Sequence, residues 1–248
     1  MLEVIHLATQ YLAMAGKSFL VPKDDDSHTN IGFDAHSKRF ETWELDNNGL
    51  KLTLDLNDFS LKWNVDSEKR IALIGNTHTA IVALLSESAK RMGFHRPYHF
   101  NLHYDLPFSW NGDYLFQRPD EKVLLETIHL RTLANTSLRS FLEKEHLSSD
   151  IRIWPHHFDT GAFTILHGGS NRSMGIGMAI PDSLVDDHYF YISGYEGHVG
   201  LDTAVFGQLS NGLWHNNGFK GAILPASNTT EEKVVQFFGE AFEQYSKP

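Results

Sequence analysis

Apolar residues recur at helical spacing from the first positions of the chain. Val4, Ile5, Ala8, Tyr11, Leu12 and Ala15 share one face, and Gly16 follows where a helix stop is expected. His6, Gln10 and Lys17 form a separate polar stripe on the same helix. Residues 22–30, with the run Asp24–Asp25–Asp26, read as a loop. The pattern then changes to strict alternation. Leu50, Leu52, Leu54 and Leu56 alternate with polar residues, Asn57–Asp58 supplies a turn, and Phe59, Leu61, Trp63 and Val65 alternate again. This predicts a half-buried antiparallel hairpin, flanked by strands at 39–46 and 70–74.

Asn76 or Thr77 caps a predicted helix that runs to Met92 and ends at Gly93. Alternation at Tyr98, Phe100, Leu102, Tyr104 and Leu106 predicts another strand, and 107–119 reads as a loop. A long helix is expected over 120–146, then strands at 150–166, 174–180, 188–195 and 219–224. Thr229 and Glu232 fit a capping box for a last helix whose apolar face carries Val234, Val235, Phe238, Ala241, Phe242 and Tyr245. Hairpins and alternation favour an α+β fold, mainly an antiparallel sheet with helices packed on it. One domain over 1–248 is expected, and the element order admits two similar halves, 1–106 and 120–248, joined by the loop 107–119.

Composition narrows the function classes. The chain of 248 residues carries a formal charge of −10, and its Lys-Arg pairs at 69–70 and 90–91 are isolated. A phosphate backbone is repelled on average, so no nucleic-acid partner is expected. No apolar run approaches the about 20 residues that span a bilayer, so no membrane association is expected either. The first 20 residues lack the basic start of a signal peptide. Cysteine is absent, which excludes thiolate nucleophiles and zinc-thiolate sites and points to the cytoplasm.

Fifteen histidines are the unusual feature. In the segment IRIWPHHFDTGAF (151–163), an extended backbone places Trp154, His156 and Phe158 on one face and His157 and Asp159 on the other. Same-face neighbours lie about 6–7 Å apart at Cα, so His157 and Asp159 suit an acid–base or ligand pair, or a hydrogen-bonded strand end. In YHFNLHYDL (98–106) the polar positions His99, Asn101, His103 and Asp105 fall in phase. His99 and His103 stand about 13 Å apart in a strand, too far for one ion, whereas His103 and Asp105 need a third ligand from elsewhere. HGGSNRSMGIGM (167–178) lacks a phosphate-loop lysine and reads as a glycine-rich turn between strands. The aromatic DDHYFYISGYE (186–196) reads as a strand covered on both faces, with Tyr191 available to a pocket wall.

Several segments carry a resemblance in sequence order. They are IHLATQYLAMAGK with His6, Gln10, Gly16 and Lys17; His28 in SHTNIGF; the WPHHFD box; GIGMAIPDSLVDDHYFYISGY; and WHNNGFKGAILP with Phe219, Gly221, Ala222, Leu224 and Pro225. Together they resemble a family of uncharacterised bacterial proteins, a domain of unknown function. The residues after His28 depart from its pattern, and 60–120 matches poorly. The resemblance implies no established activity or cofactor. It implies that His6, Gln10, Lys17, His157 and Asp159 belong to one constellation.

Three readings follow. The first is a small-molecule pocket, enzymatic or not, with His157 and Asp159 as acid–base residues, His6, Gln10 and Lys17 as polar contacts, and Trp154 and Tyr191 as walls. The second is a metal-dependent hydrolase built on His157, Asp159, His103 and Asp105. The third is a non-catalytic interaction or assembly protein. The sequence assigns no cofactor, metal or oligomeric state.

Overall fold

The structure, a computed structural model, describes residues 2–166 and 171–246, without the side chains of 66–69. The chain forms two compact units: Met1–His129 with Ile153–Phe158, and Leu130–Arg152 with Asp159–Pro248. Helices and mainly antiparallel sheets make the fold α+β.

The first unit is a meander of five short strands and two helices. Strands β1 (Gly32–Asp34), β2 (Arg39–Glu41), β3 (Leu52–Asp55), β4 (Ser60–Trp63) and β5 (Asp66–Ala72) pair in chain order. Helix α1 (Leu2–Phe19) packs on β3. The expected hairpin is β3–β4, but it is more buried than its alternation suggests: Thr53 and Asp55 on the polar face are 5% and 3% exposed. Their polar atoms are satisfied locally. Thr53 Oγ1 donates to Lys62 O at 3.0 Å, and Asp55 accepts from Arg39 Nε at 3.2 Å and Lys62 Nζ at 2.9 Å. Helix α2 (His78–Arg91) starts where expected, with Thr77 Oγ1 accepting from Ala80 N at 3.2 Å.

Helix α1 departs from its expected form in two ways. It runs through Gly16 to Phe19, and Gly16 serves close packing: a Cβ there would lie 2.5 Å from His28 O. The helix is also buried all round from Val4 to Gly16, so the polar stripe faces protein.

The expected strand 98–106 does not form. Burial does alternate from Tyr98 to Trp110, but no ladder joins the segment to a sheet. Side chains take the ladder's place. Ser18 Oγ bonds His99 N and O at 3.0 and 3.3 Å, Lys17 Nζ donates to Asn101 O at 2.7 Å, and Ser86 Oγ donates to Tyr98 O at 3.3 Å. The segment is an extended strap beside α1. Alternation reports one face against protein and one against water, which such a strap shares with a strand.

The second unit is a sheet with two helices on one face. Helix α3 (Glu121–Lys144) carries Leu130 onward into this unit. The remaining strands are β6 (Arg152–Trp154), β7 (Asp159–Ile165), β8 (Arg172–Ala179), β9 (Tyr189–Glu196), β10 (Val199–Gly200), β11 (Leu213–His215) and β12 (Gly221–Pro225). Within this unit the sheet order is β11-β12-β9-β8-β7, with β10 on β9. The short β1, β10 and β11 have no expected counterpart, because two or three residues carry too little alternation to read. Residues 167–170 of the expected glycine-rich turn lie outside the described residues.

Alternate residues divide the sheet's two faces. Ala162, Met174, Ile176, Met178, Phe190 and Ile192 point inward and form one core with Ala134, Leu138 and Phe141 of α3. Phe237 and Phe238 of helix α4 (Glu231–Tyr245) complete it. The cap of α4 is Thr230 and not Thr229. Lys233 N donates to Thr230 Oγ1 at 3.4 Å, while Thr229 Oγ1 turns back to Pro225 O at 2.9 Å.

The expected strand 150–166 is broken at the WPHHFD box. Residues 155–158 form a tight turn: Phe158 N donates to Trp154 O at 2.7 Å, and Phe158 takes a φ of 63°. Proline at 155 and the left-handed Phe158 both remove residues from an extended ladder.

Candidate functional site

Two polar clusters gather residues that the sequence singles out, one in each unit. The first is a latch. His6 Nε2 donates to Pro155 O at 2.7 Å and Gln10 Nε2 donates to the same carbonyl at 2.9 Å. Gln10 also donates to His6 O at 3.1 Å and accepts from Tyr104 OH at 2.7 Å. The His6 ring stacks on Phe158 at 4.6 Å, nearly parallel. His6 and Gln10 are 1% and 0% exposed. The structure thus brings His6, Gln10 and the WPHHFD turn together, with the two helix side chains holding the turn's backbone. The donors and acceptors of the cluster meet in short, complementary contacts.

The other residues expected near this cluster are spread over the unit's surface. Lys17 Nζ contacts Asn101 O and, at 3.1 Å, His103 Nδ1. His103 Nε2 bonds Asp26 Oδ2 at 3.1 Å, so both ring nitrogens are engaged, while Asp105 is exposed. Trp154 is half-buried and contributes its carbonyl to the turn. His157 is exposed, and its ring lies against His156 at 4.2 Å. The same-face pairing of His157 with Asp159 assumes an extended backbone, and the turn removes that geometry. Among the described residues, no group of three or more His, Cys, Asp or Glu is placed to hold a metal ion.

The second cluster is ionisable. Asp159 opens β7, and Tyr191 of β9 reaches it with a side-chain hydrogen bond. Between the two strands stands Gly177 of β8, where a Cβ would lie 2.7 Å from the Tyr191 ring and hydroxyl and 2.6 Å from Thr160 O. Glycine at 177 therefore lets the tyrosine lie across the intervening strand. The Ile180 backbone also bonds Asp159. From α3 comes Arg131, 2% exposed, whose Nη1 donates to Thr160 Oγ1 at 2.6 Å. Asp182 stands nearby, accepting from Tyr189 OH at 2.8 Å and from Leu184 N at 2.8 Å.

The electrostatics follow from this packing. Burial pushes the Asp159 carboxyl up to about 7, although the positive charge of Arg131 pulls the other way. The Asp182 charge adds to the rise, and the hydrogen bonds from Tyr191 and Ile180 oppose it. Burial brings the Arg131 guanidinium down to about 10, with Asp159 opposing. Burial also raises the Tyr191 hydroxyl well above its ordinary value, so it is a neutral donor near neutral pH. Asp159 and Tyr191 remain partly exposed, while Arg131 stands behind them. A carboxyl that changes charge near neutrality, faced by a neutral hydroxyl and backed by a fixed cation, can accept and return a proton.

Asp159 and Tyr191 were both expected as site residues, and they meet. Arg131 and Asp182 were not expected. Arg131 had a readable signal, since it interrupts the apolar helical stripe of Ala134, Leu138 and Phe141, where a cation must have a partner. Comparison with protein-family models, curated proteins and solved structures finds no match for the chain. No helix among the described residues is long and apolar enough to cross a membrane.

Proposed function

We propose that this protein binds a small molecule at Asp159 and Tyr191 and uses Asp159 as an acid–base group. In this reading Tyr191 donates a hydrogen bond to the ligand or to the ionised carboxylate. Arg131 stabilises the ionised state from within the core. His6 and Gln10 position the WPHHFD turn and touch no ligand. The observation that carries the reading is the carboxyl pushed up to about 7 at a partly exposed position, with a buried guanidinium as its counter-charge. Membership of the uncharacterised bacterial family is part of the proposal and rests on the ordered motifs. A cytoplasmic setting rests on the lack of cysteine, and the absence of a nucleic-acid partner rests on the charge of −10.

The test has two stages. Carbon-detected NMR of the Asp159 carboxyl is expected to give a titration near 7, and an ordinary value near 3.8 removes the acid–base role. A thermal-shift screen of small polar compounds then identifies ligands. Their stabilisation is expected to vanish in Asp159→Asn, weaken in Tyr191→Phe and persist in His157→Ala. Ligands that stabilise Asp159→Asn as well as the unmodified protein place binding elsewhere.

A further inference from the structure

Beside the strap of the first unit lies an open cleft of about 430 Å³, lined by Lys17, Ser18, Arg96, Pro97, His99, Phe100 and Asn101. We infer that this cleft, remote in the chain from Asp159, binds a small organic anion, an oxyanion attached to a flat apolar body. Charge is the first argument. The chain holds 31 acidic residues against 21 basic ones, yet the lining contains two cations and a histidine and no carboxylate. A local positive potential in an acidic protein needs a placed cluster.

Positioning is the second argument. Lys17 Nζ is held by Asn101 O at 2.7 Å and His103 Nδ1 at 3.1 Å, which leaves one of its three ammonium protons for a ligand. Arg96 and His99 are exposed, and neither side chain makes a hydrogen bond or ion pair among the described residues. Pro97 holds Arg96 out of the helical region, and His99 is tied through its backbone to Ser18. The guanidinium of Arg96 offers a planar fork for a carboxylate or phosphate. Phe100 and Pro97 supply apolar wall, and the volume suits a small ligand.

The full-length protein is titrated with phenyl phosphate and with benzoate, with benzylamine as the charge-reversed control, while amide NMR shifts are followed. Saturable shifts confined to 17–18 and 96–101 are expected for the anions and none for benzylamine. Arg96→Gln, an exposed change that leaves the strap's anchors in place, is expected to weaken binding about tenfold. Binding of only one anion supports the site and tells which oxyanion it takes. The inference is overturned by no saturable shift up to about 10 mM, which leaves only affinities weaker than a specific site. An equal response to benzylamine, or unchanged affinity in Arg96→Gln, also overturns it.

Discussion

The two units each bury a polar cluster, and they satisfy it in opposite ways. In the first unit His6, Gln10, Tyr104 and the Pro155 carbonyl form a hydrogen-bonded network in which donors meet acceptors at 2.7–3.1 Å. In the second unit Asp159, Arg131 and Tyr191 place two ionisable groups of opposite sign in a poorly hydrated site. A network of paired donors and acceptors fixes geometry. A charged cluster is held in balance by its environment and responds to a proton or a ligand. Of the histidines that draw attention in the sequence, His6 belongs to the first kind, and Asp159 belongs to the second.

The sharpest way to break this contrast is Arg131→Met. It should destabilise the protein by about 3–5 kcal/mol in urea unfolding, because it strands the Asp159 carboxyl without its counter-charge. The Asp159 titration should also move above about 7. A loss below about 1 kcal/mol would mean that the cluster is not a coupled charge pair.

pH separates the two units next. The Asp159 value is raised on folding, so its contribution is fully present below about 3.8 and is lost as pH rises through about 7. A ceiling for that loss is about 4 kcal/mol, from three pH units of displacement. The first unit has the opposite sign at His78, which is 8% exposed, accepts or donates to Tyr11 OH at 3.0 Å, and is lowered by burial. Its contribution is lost as pH falls below about 6.5. Hydrogen exchange followed amide by amide reads the two trends separately. Asp159→Asn should flatten the second unit's dependence alone.

Gln10→Ala comes third and tests the latch. It removes three hydrogen bonds from a fully buried side chain and should cost about 2–3 kcal/mol in denaturant titration. Faster exchange at Phe158 N should accompany the loss, with the Asp159 titration unchanged. Gly177→Ala is fourth, at about 1–3 kcal/mol, because the added methyl meets the Tyr191 ring and Thr160 O. It should also raise the Asp159 pKa by displacing the Tyr191 hydrogen bond, and NMR titration reads both. Thr230→Ala is the small control, about 1 kcal/mol from a lost helix cap, and Thr229→Ala should cost less.

Much of the fold was legible in the sequence. The capped α2, the long α3, the β3–β4 hairpin and the strand β9 stand where their periods place them. Failures came where a pattern has two physical causes. The alternation of Tyr98 to Leu106 is real, yet serine and lysine side chains replaced the ladder partners. Gly16 looked like a helix stop and is a contact point for His28. At the site, Asp159 and Tyr191 were legible as residue types, but the partner expected for Asp159 was a neighbour in sequence. Arg131 lies 28 positions upstream of it, which no local spacing reveals.

The sequence by itself determined the longer helices and the β3–β4 hairpin, because helix and strand periods, caps and breakers act within a few residues of one another. It also determined which residue types were available for chemistry. Only the tertiary structure decided their tasks, since burial and neighbouring charge depend on what distant segments bring. Thus His6 became a strut under the Pro155 carbonyl, and burial pushed the Asp159 carboxyl up to about 7 against the opposing charge of Arg131.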